Sequence, residues 1–268
     1  MAYLPRHCEL QRSNPWHQKW IAASLPLLAM TTLIFLSACA APLPTSERLE
    51  EVKARKLAQI RHETALAGFV EDTPAFIRIF KQESALELWL QEPQSKRFGL
   101  YKTYPICGYS GTLGPKIVEG DKQAPEGFYT IGAGQMNPWS RHHLSFNLGF
   151  PNEYDAAQGR TGSALMIHGG CTSIGCYAIT DELVEEIYLL VEASIKGGAD
   201  VPVHIFPFRM HPQNMYMHRS APWLPFWQNL KQGYDAFEIT RIPPKTSVGT
   251  GQNGVHYVFD TPVNKSLF

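Results

Sequence analysis

The sequence predicts a β-rich α+β fold, with a sheet core, one packed helix and helical additions at both ends. Three observations predict it. Short apolar or alternating runs recur between residues 76 and 208, set apart by turns bearing glycine and proline. Within that region, one stretch from Asp181 changes to the period of a helix. The segments before and after the region carry helical patterns of their own.

The N-terminus differs in kind from the rest. Arg6, Arg12 and Lys19 precede an uncharged apolar stretch, Ile21 to Leu36, which ends in Ser37-Ala38-Cys39-Ala40. A charged start, apolar middle and small-residue end make a secretory signal, placed at residues 1–40. The competing reading is an uncleaved membrane anchor, for which the stretch is borderline in length and broken by Pro26. Leu36-Ser37-Ala38-Cys39 also resembles a bacterial lipobox, which would make Cys39 the lipidated first residue; Ala38-Cys39-Ala40 fits ordinary cleavage equally well. Either route predicts a periplasmic or cell-envelope protein that meets a membrane only through its signal or a lipid anchor.

Residues 41–73 read as a spacer and a helix. Ser46 is a suitable N-cap, Leu49, Val52, Leu57 and Ile60 give an apolar stripe, and Gly68 is a stop. The main domain is expected over 74–209. Phe76–Lys81 and Ala85–Leu90 alternate across a turn at Gln82-Glu83-Ser84, and Phe98–Ile106 is a third strand. A glycine-rich loop follows to Gln123, then strands at Phe128–Ile131 and His143–Leu148. Ala164–His168 is nearly all apolar, as a central strand buried on both faces should be. From Asp181, apolar residues at Leu183, Val184, Ile187, Leu190, Val191 and Ile195 mark one helix face, with Thr180 as cap and Gly197-Gly198 as stop. Val201–Phe208 is a last strand. Residues 210–268 form an extension with a helix near Phe226–Phe237, a Met- and Trp-rich stretch expected to cover the domain, and an irregular tail from Ile242.

Composition narrows the function. With 44% hydrophobic and 18% charged residues, the chain is globular rather than disordered. A formal net charge of zero gives no basic field for nucleic acid. Of five cysteines, Cys8 and Cys39 fall in the leader, leaving Cys107, Cys171 and Cys176 to fold. Three is odd, so one thiol at least stays unpaired within the chain, which outside the cytoplasm points to a cysteine in use.

The stretch that carries chemistry is Ile167-His168-Gly169-Gly170-Cys171-Thr172-Ser173-Ile174-Gly175-Cys176-Tyr177. A thiol needs a base to react near neutral pH, and His168 supplies an imidazole at the end of a strand. Gly175, just before Cys176, lets the backbone turn its N–H groups toward an oxyanion, and Gly169 and Gly170 permit a tight return. Ser173 orients this loop or serves only as a turn hydroxyl. Two rivals compete for the same residues. His168, Cys171 and Cys176 could ligate a metal, but the set lacks a fourth ligand. Cys171 and Cys176 could form a disulfide, which would silence the thiol. A redox protein built on this cysteine pair lacks the Cys-x-x-Cys spacing.

The stretch resembles the signature of the L,D-transpeptidase (YkuD-type) family, in which a strand ending in His-Gly is followed by Ser-x-Gly-Cys. Ala124-Pro125-Glu126-Gly127-Phe128-Tyr129-Thr130-Ile131 resembles a second family strand. The compressed His-Gly-Gly-Cys-x-Ser-Ile-Gly-Cys form is similar to the YafK-like murein branch. The chain departs from typical members at Ile174, where they carry His, and at Tyr177-Ala178, where they carry an aliphatic residue and Arg.

The resemblance implies an L,D-transpeptidase-like β-sandwich or barrel at 74–209. It also implies that Cys176 attacks the carbonyl of the L-centre of meso-diaminopimelate in a peptidoglycan stem peptide. His168 is then the base, and the Gly175 and Cys176 N–H groups the oxyanion donors. No metal or organic cofactor is required. The departures put the donor-peptide contacts, and hence cross-linking, in doubt; the branch includes enzymes that detach a bound lipoprotein from peptidoglycan, and the sequence leaves hydrolysis and transfer both open. Tyr177 and His143 are candidates to line the substrate groove, with His142 beside them; the competing role for each is packing or surface. A catalytically silent peptidoglycan-binding or scaffold module on the same fold is the alternative function.

Overall fold

The computed structural model describes residues 42–251 and 254–260. The leader, with its signal and lipobox readings, lies outside them. Helix α1 spans Glu47–Leu66. Strands β1 (Ala75–Phe80), β2 (Ala85–Gln91), β3 (Phe98–Pro105), β4 (Gly108–Tyr109), β5 (Gly127–Ile131), β6 (Met136–Asn137) and β7 (Ser145–Asn147) follow. Next come α2 (Glu153–Ala157), β8 (Met166–His168), β9 (Tyr177–Ala178), α3 (Asp181–Lys196) and β10 (Val201–Phe206). The chain continues with α4 (Pro212–Met217), α5 (Leu224–Thr240), β11 (Thr246–Gly251) and β12 (Gly254–Phe259).

Two five-stranded sheets form the core, one in the order β3-β2-β1-β10-β5 and the other β4-β9-β8-β7-β6. One apolar cluster joins them, with Ile77 and Ile79 of β1, Phe146 of β7, Ile167 of β8 and Tyr177 of β9 packed with Val184, Ile187 and Val191 of α3. The expected β-rich α+β class is therefore what the chain adopts. The run ending in His168 is the middle strand of its sheet, which accounts for its apolar sequence.

β1 departs from its sequence pattern. Its alternation suggests one wet face, yet all six residues are buried. The reason is α5, which covers the second face with Phe226, Trp227, Leu230 and Tyr234. Arg78 lies there among the rings of Phe80, Trp89, Tyr234 and Phe237 and donates to Glu238 at 2.7 Å. The Trp-rich extension thus covers the sheet, as its composition suggested. Its tail does not stay irregular. β11 and β12 form an antiparallel hairpin from Thr246 to Phe259. Asn229 fastens the hairpin by accepting from the Tyr257 N–H at 2.7 Å and donating to the Tyr257 carbonyl at 2.9 Å.

Helix α1 packs on α3 through Leu49, Val52 and Ile60, all nearly or fully buried. Such side chains stabilise by about 1.5–3 kcal/mol each when fully buried, against about 0–1 kcal/mol for an exposed ion pair. The apolar stripe therefore holds the helix. The ion pairs of Lys53 with Glu192 and Lys56 with Glu185 satisfy buried α3 carboxylates and set the register.

Below the glycine-rich loop sits a fully buried ion pair, Lys81 with Glu126 at 3.0 Å. The Lys81 ammonium also donates to the carbonyls of Gly114 and Ala124. Glu126 accepts from the Gly114 N–H and from the Trp227 indole. One pair thus ties β1, the loop and α5 together. Lys81→Met leaves the Glu126 charge buried without its cation and is expected to cost about 3–5 kcal/mol. Adding Glu126→Leu should recover much of that loss. Denaturant unfolding of the three proteins reads the effect; a Lys81→Met protein as stable as the parent would contradict it.

Candidate active site

β8 and β9 run parallel, with Ile167 opposite Tyr177 and His168 opposite Ala178. Parallel neighbours normally need a crossover of about a dozen residues or more, whereas here residues 169–176 make the whole return. Glycine makes it sterically possible. Gly170 sits at φ +76° and Gly175 at φ +130°, both in the region that glycine favours. At Gly169 the need is space: a Cβ there would lie 2.5 Å from Asp181 Oδ1 and 2.8 Å from the His142 carbonyl. Carried one residue back, the register puts Cys176 opposite Met166. Alternation along each strand then places the Cys176 and His168 side chains on the same side of the sheet.

A covalent tie closes the loop from outside. Cys171 is bonded to Cys107, with Cα atoms 5.3 Å apart. The bond anchors the loop to the segment between β3 and β4, and the Cys107 N–H donates to the Ala178 carbonyl at 3.0 Å. This corrects the disulfide between Cys171 and Cys176 that the sequence left open. It also removes Cys171 from any metal-ligand set. Cys176 is the free cysteine among the described residues.

His168 is almost wholly buried, and its Nδ1 lies 2.6 Å from the Gly169 carbonyl oxygen. A carbonyl only accepts, so Nδ1 carries the proton and the neutral ring presents a bare Nε2. Burial pushes the His168 pKa below its ordinary value; the Gly169 bond opposes that push and the neighbouring His142 adds to it. Burial pushes the Cys176 thiol up, opposed by a backbone bond from Met166 and the Lys116 charge. Both groups rest neutral because the charged forms lose too much hydration here. The Cys176 thiol points to the Ala164 carbonyl at 3.7 Å.

Ser173 holds the turn before Cys176. Its Oγ accepts from the Cys176 N–H at 2.9 Å and the Gly175 N–H at 3.2 Å, and donates to the Cys176 carbonyl at 2.8 Å. The two N–H groups expected to face an oxyanion are engaged by this hydroxyl at rest. Tyr177 is fully buried and donates to the Pro125 carbonyl at 2.7 Å, so it packs rather than lining a groove, because β9 turns it into the core. His143 is likewise bound inward, with Nε2 2.8 Å from Glu185 Oε1. Its neighbour His142, which the sequence treated only in passing, lies against His168 with ring centroids 4.5 Å apart and planes tilted by 35°. Ile174 stands 80% exposed beside the nucleophile.

Lys116 also escaped sequence reasoning. It is buried and held by Asp121 at 2.5 Å, and it bears on the thiol. A lysine in a glycine-rich loop carries no sequence signal of such a role. Cys107 left a partial signal in the odd cysteine count, but connectivity does not follow from counting.

The profile of the YkuD family, the L,D-transpeptidase catalytic domain, matches residues 88–234. The Escherichia coli protein named "Putative L,D-transpeptidase YafK" is 45% identical over 196 residues, covering 73% of this chain and 77% of that protein. Among solved structures, the helical cell shape determining protein Pgp2 of Campylobacter jejuni aligns with a TM-score of 0.42 and 17% identity, over 71% of this chain and 80% of that one. Bd1075 of Bdellovibrio bacteriovorus aligns at 0.35 and 17%, over 70% and 83%. Likenesses that distant add nothing to the assignment, which rests on the profile and the bacterial relative. On those two findings, the chain belongs to the L,D-transpeptidase family of peptidoglycan enzymes.

Proposed function

We propose that this chain is a cysteine acyltransferase of the cell envelope that opens an amide bond in a peptidoglycan stem peptide. The observation that supports the reading is a free thiol, Cys176, one residue before the strand that pairs with β8, and a buried, singly oriented His168 at the end of β8. His168 Nε2 takes the thiol proton while Sγ bonds to the carbonyl carbon at the L-centre of meso-diaminopimelate. The C–N bond then breaks, and the same proton passes to the leaving amine. The thioester goes on to water or to an acceptor amine. The Gly175 and Cys176 N–H groups serve the oxyanion once the Ser173 hydroxyl yields them, so Ser173 holds the turn between reactions.

Within that reading the reaction is hydrolytic, releasing a bound lipoprotein from the wall. The support is in the sequence: Ile174 and Tyr177-Ala178 stand where typical members keep the His and Arg for the donor peptide. The residues that follow Cys176 offer no cation in their place, since Tyr177 and Ala178 are both buried. The charged and apolar leader, residues 1–40, supports export.

Purified muropeptides and lipoprotein-linked peptidoglycan, with products read by mass spectrometry, test the function. Release of lipoprotein with water incorporated is expected. New cross-links without release would overturn the hydrolytic part, and turnover of neither substrate the whole. Cys176→Ala should abolish turnover with the fold intact. His168→Ala and His168→Gln should each lose about 10²–10⁴-fold. Gln keeps a polar group in place but accepts no proton. Near-normal turnover per folded molecule in either His168 variant would leave that residue a purely structural part.

The neutral pair also sets the pH profile. The active form holds His168 unprotonated, and its pKa lies below the ordinary value of about 6.5. Protonation in the acid range removes the base. The acid limb of kcat/KM should therefore fall below about pH 6.5, with no loss from there to neutrality. A limb above that value, or activity that rises as pH falls, would contradict a neutral resting pair.

A further inference from the structure

The turn between β6 and β7 lies directly against the end of the catalytic strand. Its His142 ring covers the His168 ring. The His142 carbonyl and the His143 Cβ crowd Gly169, within 2.8 and 2.9 Å of where a Cβ would stand. The Gly169 carbonyl is the acceptor that fixes the His168 tautomer. The turn thus touches the base on its ring face and the group that orients the base on its backbone.

Within the turn, Asn137 Oδ1 accepts from the Trp139 N–H and Ser140 Oγ from the His142 N–H, each at 3.1 Å, and the Leu144 carbonyl accepts from the Gly169 N–H. His143 sits at φ +65°, in the left-handed region that costs a side-chain-bearing residue about 1 kcal/mol or more. Helix α1 adds contacts from outside the turn. Ser46 Oγ donates to the Pro138 carbonyl at 2.9 Å. Arg48 Nη1 donates to the Ser140 carbonyl at 2.8 Å and the His143 carbonyl at 2.5 Å, bracketing His142 from both sides. One helical turn or two further on, Arg55 and Lys56 grip Glu185, the carboxylate that receives His143 Nε2. These residues precede the span that the family profile matches.

We propose that α1 is a working part of the catalytic site rather than a spacer, with Arg48 as a positioning residue: by bracketing His142 it keeps the turn against His168 and Gly169, and so keeps the base aimed at Cys176. The proposal rests on His168 acting as base for Cys176. Arg48 touches neither substrate nor nucleophile; it acts through the turn. Because Arg48 is itself exposed, its loss costs the fold little.

The test is the rate at which iodoacetamide alkylates Cys176 as a function of pH, read on the peptide that carries Cys176, with a thermal melt of each protein. It needs no peptidoglycan, so it is independent of the substrate assigned above. The full chain, His168→Ala, Arg48→Ala and Arg48→Lys are compared. Arg48→Ala should slow alkylation at neutral pH by about 10-fold, as small misplacements of a catalytic group do, with little change in melting temperature. Arg48→Lys, which keeps a cationic donor, should restore most of the rate. If His168→Ala slows the reaction and Arg48→Ala leaves the pH profile unchanged, the positioning role is overturned while the catalytic pair stands. If His168→Ala itself changes nothing, the pair fails and the positioning role falls with it.

Discussion

Two parallel strands joined by residues 169–176 leave the backbone almost no slack, and the site depends on that shortage. Register fixes which side of the sheet each side chain takes, so pairing His168 with Ala178 decides that His168 and Cys176 share a face. A longer return would tolerate a slip of one residue, which would turn Cys176 into the core. The return is held at three points: the glycine at 169 that lets Asp181 and His142 approach, the Cys107–Cys171 bond, and the Ser173 hydroxyl gathering the turn. Each acts on the backbone, and none needs the thiol. Cys176 is therefore held in place while its thiol stays outside any disulfide.

The same enclosure sets the charge state. The buried end of β8 brings His168 into a poorly hydrated place, and an ion pair there would give up more solvation than its Coulomb attraction returns. The site instead keeps two neutral groups and a fixed tautomer, with the Gly169 carbonyl doing what a carboxylate does in other triads. A carboxylate at that point would favour imidazolium strongly, while the carbonyl orients the ring and raises its pKa by less than burial lowers it. Buried Lys116 is the nearest source of positive potential, and it favours thiolate only as the proton leaves.

Much of this was legible in the sequence, for reasons that differ between elements. Helix α3 announced itself because a buried helix face needs a long, strict period. The His168 strand did so because a central strand is apolar throughout. The Cys176 turn was readable because so few residue combinations allow a return that tight. What escaped is non-local. β4, β6 and β9 have two residues each, too few for a period, and exist only through their neighbours: β6 pairs with β7, β9 with β8, and β4 with β9. The polar residues of β1 promised a wet face that α5 covers from far along the chain. Tyr177 looked like a substrate contact because it follows the nucleophile; one strand residue's alternation sends it inward to Pro125. His142 and Arg48, distant in sequence from the motif, meet it only through the fold.

Cys176 is the residue proposed to carry the acyl group. Brief incubation with a stem-peptide substrate, acid quenching and mass spectrometry of the digested protein test it most directly. The expected result is a substrate acyl adduct on the peptide containing Cys176, labile to hydroxylamine and absent from Cys176→Ala. Turnover with no adduct on Cys176, or an acyl group found on another residue, would contradict it.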